Sequence, residues 1–148
     1  MIASRTAAWL TLYARLALGV SFLAAVTDRL GLWGPHGTAN VAWGEMQRFQ
    51  TYTGLLNPWF PESVLPGLSW LVTVAEGILG VALIVGVQLR WVALLSGALL
   101  LAFAIGMTAG TGVKSALNAS VLSASACAFL LWQREPDPLT LDHVLHRR

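Results

Sequence analysis

The chain has 148 residues, 56% of them hydrophobic and only 11% charged, with a formal net charge of +2. That length allows a single domain, and so little charge cannot clothe the surface of a water-soluble one. The basic residues form no stripe, which argues against nucleic acid as a partner, and the single Cys127 excludes an intramolecular disulfide or a paired-thiol centre.

The apolar residues fall in long blocks, which predicts an all-α integral membrane four-helix bundle. Spans are expected at approximately 7–27, 65–87, 91–108 and 115–132, followed by a surface tail over 133–148. At about 1.5 Å rise per residue, roughly 20 residues cover a hydrocarbon core and roughly 17 is the lower limit. Irregular backbone cannot face lipid, so each block should be helical. The first block carries Arg15 where a signal peptide would have its uncharged core, and so reads as a retained span.

The segment 27–63 between the first two spans is long enough to need structure of its own. Asn40 is placed to cap a short amphipathic helix within 41–56 that stops before Asn57-Pro58. Trp43, Met46, Phe49, Thr53 and Leu56 recur on one side of it. The loop aromatics Trp33, Trp43, Phe49, Tyr52 and Trp59, with Phe60, suit either an interfacial anchor or a lid over a ligand.

Gly77 and Gly80 follow Glu76 in the second span and allow a close helix approach. Only Gln88, Leu89 and Arg90 separate the second and third spans, so these are antiparallel neighbours. Ala93, Gly97 and Ala104 share one face of the third span, and Ala116, Ser120, Ser123 and Cys127 one face of the fourth. Small residues so spaced are expected to pack helix on helix. In the tail, Asp137-Pro138 starts a short helix with an apolar stripe of Leu141, Val144 and Leu145. His143 and His146 lack a third ligand, so no metal site is expected.

Four spans put both termini on one side. That side holds Arg5, Arg90, Arg134, Arg147 and Arg148 against Arg29, Arg48 and Lys114 opposite, which favours cytoplasmic termini.

Charges at membrane depth are costly and usually functional. Arg15 and Glu76, counted inward from their span ends, sit at similar depth and are expected to form an intramembrane polar pair. Such a pair either fixes helix neighbours or forms the polar floor of a cavity for a quinone headgroup or another small polar molecule, or relays a proton. A third arrangement has Arg15 snorkelling to lipid phosphates while Glu76 stays protonated. Asp28, Arg29, Lys114 and Asn118 form an outer polar cluster. These are either solvated at the interface or tied by an Asp28–Lys114 pair. No catalytic triad, phosphate-cradling loop or metal-ligand set appears, so no catalytic residue is assigned.

The sequence resembles the DoxX family of small four-span bacterial membrane proteins. Matching stretches are Arg15-Leu-Ala-Leu-Gly19, Asp28-Arg29-Leu30-Gly31, and Ala75-Glu76-Gly77-Ile78-Leu79-Gly80 with Gly86. Gly31-Leu32-Trp33-Gly34-Pro35, Val41-Ala42-Trp43-Gly44 and Ser123-Ala124-Ser125-Ala126-Cys127-Ala128-Phe129 complete them. The resemblance implies a bacterial inner-membrane protein, and an accessory or scaffold subunit of a quinone-linked redox or oxidative-stress system. Its partners would be the lipid bilayer and another protein or a second copy of the chain, with quinone as the possible cofactor. The alternative is a binding protein or carrier for a lipophilic small molecule. The family has no agreed catalytic residue to carry over.

Overall fold

The structure, a computed structural model, describes residues 2–134 and 139–141, and all regular structure among them is helical. The elements are α1 (Ile2–Arg29), α2 (Met46–Leu56), a 3-10 turn (Glu62–Val64), α3 (Leu65–Val85), α4 (Leu89–Thr111), α5 (Val113–Asn118) and α6 (Val121–Trp132). Three stretches, Arg5–Arg29, Glu62–Val85 and Leu89–Thr111, are long and apolar enough to cross a membrane.

The continuous helix expected over 115–132 is instead broken. α5 has 6 residues and α6 has 12, and between them Ser120 takes a left-handed backbone with φ of +57°. The Ser120 amide turns back to the Leu117 carbonyl, and the chain restarts where the Ala124 amide donates to the Ser120 carbonyl. The expected stripe of Ala116, Ser120, Ser123 and Cys127 is split by this break. It is Ser125, Ala128 and Leu131 that α6 buries, with Phe129 against Gly97 and the Ser125 hydroxyl donating to the Gly97 carbonyl at 2.8 Å.

Packing is concentrated in two antiparallel pairs, α1 on α3 and α4 on α6, which meet each other more lightly. The first pair crosses at two glycines. A Cβ on Gly19 would stand 2.7 Å from the Gly80 carbonyl oxygen, and one on Gly80 3.0 Å from that of Gly19. Gly77, expected to share this role, has nothing within 4 Å of such a Cβ. α2 lies against α3 and α4 at the end opposite the α3–α4 turn, so it roofs the gap between the two pairs.

α2 starts later than its apolar spacing suggests. Asn40 does not cap it: that residue has φ of +65°, and the N-cap is Glu45 in an extended conformation with no side-chain cap bond. Phe49, Thr53 and Leu56 are buried, and the helix ends at Leu56 with Asn57 at its C-cap. Trp43 precedes the helix yet packs on it, with ring centroids 5.5 Å from Phe49 and 4.7 Å from Tyr52.

An apolar core that includes Phe22, Leu83, Leu100 and Leu131 is interrupted by buried polar groups, while large apolar side chains cover the outside. Arg15, Arg29, Ser69, Thr73, Glu76 and Ser125 are buried, whereas Tyr13, Ile78, Ile105 and Leu130 are 73%, 65%, 61% and 70% exposed. The tail helix expected from Asp137, with His143 and His146, lies outside the described residues.

Candidate functional site

Two polar centres stand at opposite ends of the α1–α3 pair. Arg15 is 1% exposed. Its Nε donates to the Leu83 carbonyl at 2.9 Å, Nη2 to the Ile84 carbonyl at 2.9 Å, and Nη1 to the Leu139 carbonyl at 3.0 Å. The last carbonyls of any helix lack intrahelical partners and carry partial negative charge. Arg15 therefore caps the C-terminus of α3 and ties Leu139 of the tail to it. Gly86 closes that helix with φ of +75°, and a side chain there would collide with the Arg15 guanidinium.

Arg15 and Glu76 do not pair. Glu76 forms its ion pair with Arg29, and both side chains are buried. The antiparallel crossing explains the difference: Arg15 is level with Ile84, two helical turns beyond Glu76. Counting depth from span ends missed this offset, because α1 runs well past the end of α3. The Arg29 side chain instead folds back from the last turn of α1. Its Nη1 also donates to Thr73 Oγ1 at 3.1 Å, and its guanidinium carbon lies 3.7 Å from the centre of the Phe49 ring. Beyond Thr73, its hydroxyl donates to the Ser69 carbonyl at 2.8 Å, and the Ser69 hydroxyl to Thr53 Oγ1 of α2 at 3.1 Å. The sequence carried a signal for this: Ser69, Thr73 and Glu76 recur at helical spacing and run toward Arg29, away from Arg15.

The outer cluster is divided as well. Asp28 does not reach for Lys114, because its carboxylate accepts the backbone amides of Ala42 (3.0 Å), Trp43 (3.1 Å) and Gly44 (3.1 Å). Adjacent positions on a helix point about 100° apart, so Asp28 holds the loop while Arg29 turns inward. Lys114 and Asn118 are exposed on α5. Among the loop aromatics, Trp43, Phe49 and Tyr52 face the interior, whereas Trp33 and Trp59 are each 58% exposed. The Trp33 indole N–H donates to Thr27 Oγ1 at 2.7 Å.

Beneath α2 the two helix pairs flank a half-open cavity of about 560 Å³. Leu18 and Phe22 of α1, Leu99 and Phe103 of α4, and Ala124 of α6 line it, under a cap of Trp43, Phe49 and Tyr52. Arg29 and Glu76 are the only charged residues in its wall among the described residues. The break at Ala119–Ser120 also faces it. An apolar chamber with a few convergent polar groups is the usual form of a small-molecule site. Compared with known proteins, the chain matches no family model, no curated protein and no solved structure.

Proposed function

We propose that this chain is an integral membrane protein that binds a lipophilic small molecule in the cavity under α2, with Arg29 and Glu76 as its polar contacts. The observation that carries this reading is a preformed apolar chamber whose wall holds one buried ion pair. A pair that served only to fix helix neighbours would be packed on all sides rather than opened to a void.

The membrane part of the proposal is supported by the long apolar helices and by the many large apolar side chains exposed along them, a greater apolar surface than a water-soluble protein leaves uncovered. In it, α1, α3, α4 and the broken α5–α6 unit cross the bilayer, and the break is tolerable because it lines the cavity. The arginine asymmetry supports cytoplasmic termini, and the DoxX resemblance supports a bacterial inner membrane. Cysteines at positions 5, 90 and 134 should therefore resist labelling from outside intact cells. Membership in the DoxX family is part of the same proposal and rests on the short motifs alone. The accessory-subunit role implied by that family adds a protein partner and a quinone-linked system. The exposed apolar faces would suit such a partner, but they suit lipid equally.

Native mass spectrometry of protein extracted with its own lipids tests the binding reading. A small lipophilic adduct should ride on the wild-type chain and disappear when Ala124→Phe fills the cavity. A wild-type chain that carries none, or an adduct indifferent to Ala124→Phe, refutes the site.

A further inference from the structure

The chamber's charge balance says what kind of head it accepts. Arg29 is 5% and Glu76 2% exposed, and they neutralise each other. No third charge lines the wall among the described residues. An anionic head drawn to Arg29 would also meet Glu76 and leave one net negative charge in an apolar chamber. A cationic head drawn to Glu76 meets the mirror-image problem at Arg29. Uncompensated charge in such surroundings is far costlier than an unmade hydrogen bond.

Hydrogen-bonding capacity is nevertheless left over on both partners. Only Nη1 of Arg29 is engaged, by Glu76 and Thr73, and Nε has no acceptor. The Glu76 carboxylate spends one oxygen on Arg29, and no hydrogen bond falls on the other. A donor and an acceptor thus stand side by side in a mainly apolar wall whose other polar members, Ser21, Tyr52, Thr53, Asn57 and Ser120, carry no charge.

We infer that the ligand is a neutral amphiphile whose head both donates and accepts a hydrogen bond, as an alcohol or phenol does. Its hydroxyl gives its proton to Glu76, its oxygen accepts from Arg29, and its apolar body fills the space between Phe22, Leu99 and Phe103. This inference rests on the binding reading proposed above.

A charge series on one chain length tests it. Protein in phosphatidylcholine nanodiscs is loaded with equal mole fractions of 1-dodecanol, dodecanesulfonate and dodecyltrimethylammonium, and retention is read by native mass spectrometry. Dodecanol should be retained roughly tenfold better than either ion, a margin equivalent to about 1.4 kcal/mol. Glu76→Gln leaves Arg29 uncompensated and should turn the preference to dodecanesulfonate. Should that variant not fold, Arg29→Gln should by the same logic favour dodecyltrimethylammonium over dodecanesulfonate. Equal or better retention of either ion by the wild type overturns the neutral-head inference and leaves the cavity a ligand site. An unchanged preference in a folded variant overturns it too. Retention of none of the probes sinks the cavity reading itself.

Discussion

Arg29 and Glu76 meet across two helices although 47 residues separate them in sequence, and each is what makes the other's burial tolerable. Glu76 stands buried in the body of α3, and Arg29 reaches it because its side chain folds back along α1 from the final turn. The pair, the Thr73 hydroxyl and the Phe49 ring form one centre, and Arg15 stands apart from it, its three nitrogens donating to the Leu83 and Ile84 carbonyls at the other end of α3 and to the Leu139 carbonyl of the tail.

Breaking this pair should be costly from either side. Glu76→Gln and Arg29→Met should each destabilise the protein by about 3–5 kcal/mol, and the double variant should recover part of that. Glu76→Gln combined with Arg15→Met should instead add to within about 0.5 kcal/mol, as sites without shared partners do. Unfolding of all five variants in the same detergent measures both. Additivity for Arg29 with Glu76, or coupling of Arg15 with Glu76, would reverse the assignment.

Arg15 should be needed for the end of α3 rather than for the cavity. Losing its fork orphans the Leu83 and Ile84 carbonyls, and each unsatisfied buried group costs about 1–3 kcal/mol. Arg15→Met should therefore speed amide exchange over 84–88 and release Leu139, while ligand retention stays near wild type. Arg15→Lys should rescue little, since a point charge cannot serve three diverging carbonyls. Loss of the ligand with unchanged exchange at 84–88 would contradict this role.

Gly19 and Gly80 should tolerate no added methyl, whereas Gly77 should welcome one. Gly19→Ala would drive its Cβ to 2.7 Å from the Gly80 carbonyl oxygen, an overpacking worth about 1–3 kcal/mol of destabilisation. Gly77→Ala meets nothing within 4 Å and should gain up to about 1 kcal/mol in helix propensity. Thermal unfolding of the two variants should move in opposite directions. A shared direction would mean the α1–α3 crossing is wrongly placed.

Much of the architecture was legible from block length, because an apolar run of sufficient length has few alternatives to a helix. The loop helix was legible for the same kind of reason: Phe49, Thr53 and Leu56 repeat at its period. Its start was not, since three amides held by Asp28 fix the backbone at Ala42, Trp43 and Gly44, and no pattern in the sequence announces that contact. The break at Ser120 was hidden too, because the apolar run continues through it. Of the candidate site, Glu76 and the loop aromatics could be named, but the choice between Arg15 and Arg29 depends on helix register. Register is set by the Gly19–Gly80 crossing, a relation between two chain segments that neither segment carries alone. The stripe Ser69–Thr73–Glu76 points the right way, and its direction along α3 is the information that depth counting discards.

The clamp at Asp28 governs whether the roof stays closed. Its carboxylate uses both oxygens on three amides, Oδ2 on Ala42 and Trp43 and Oδ1 on Gly44. Hydrogen bonds to a charged group contribute about 1.5–3 kcal/mol each, and a neutral amide retains only one good acceptor. Asp28→Asn should therefore loosen residues 41–45 first, and with them Trp43, whose ring rests on Phe49 and Tyr52. Amide exchange over 41–56 should quicken in Asp28→Asn while α3 and α4 exchange as before, and ligand retention should fall without loss of the fold. Lys114→Ala should change neither, because Asp28 is occupied elsewhere. Unaltered exchange at 41–45 in Asp28→Asn, or a Lys114→Ala variant that behaves like it, would show that the loop is held by something other than this carboxylate.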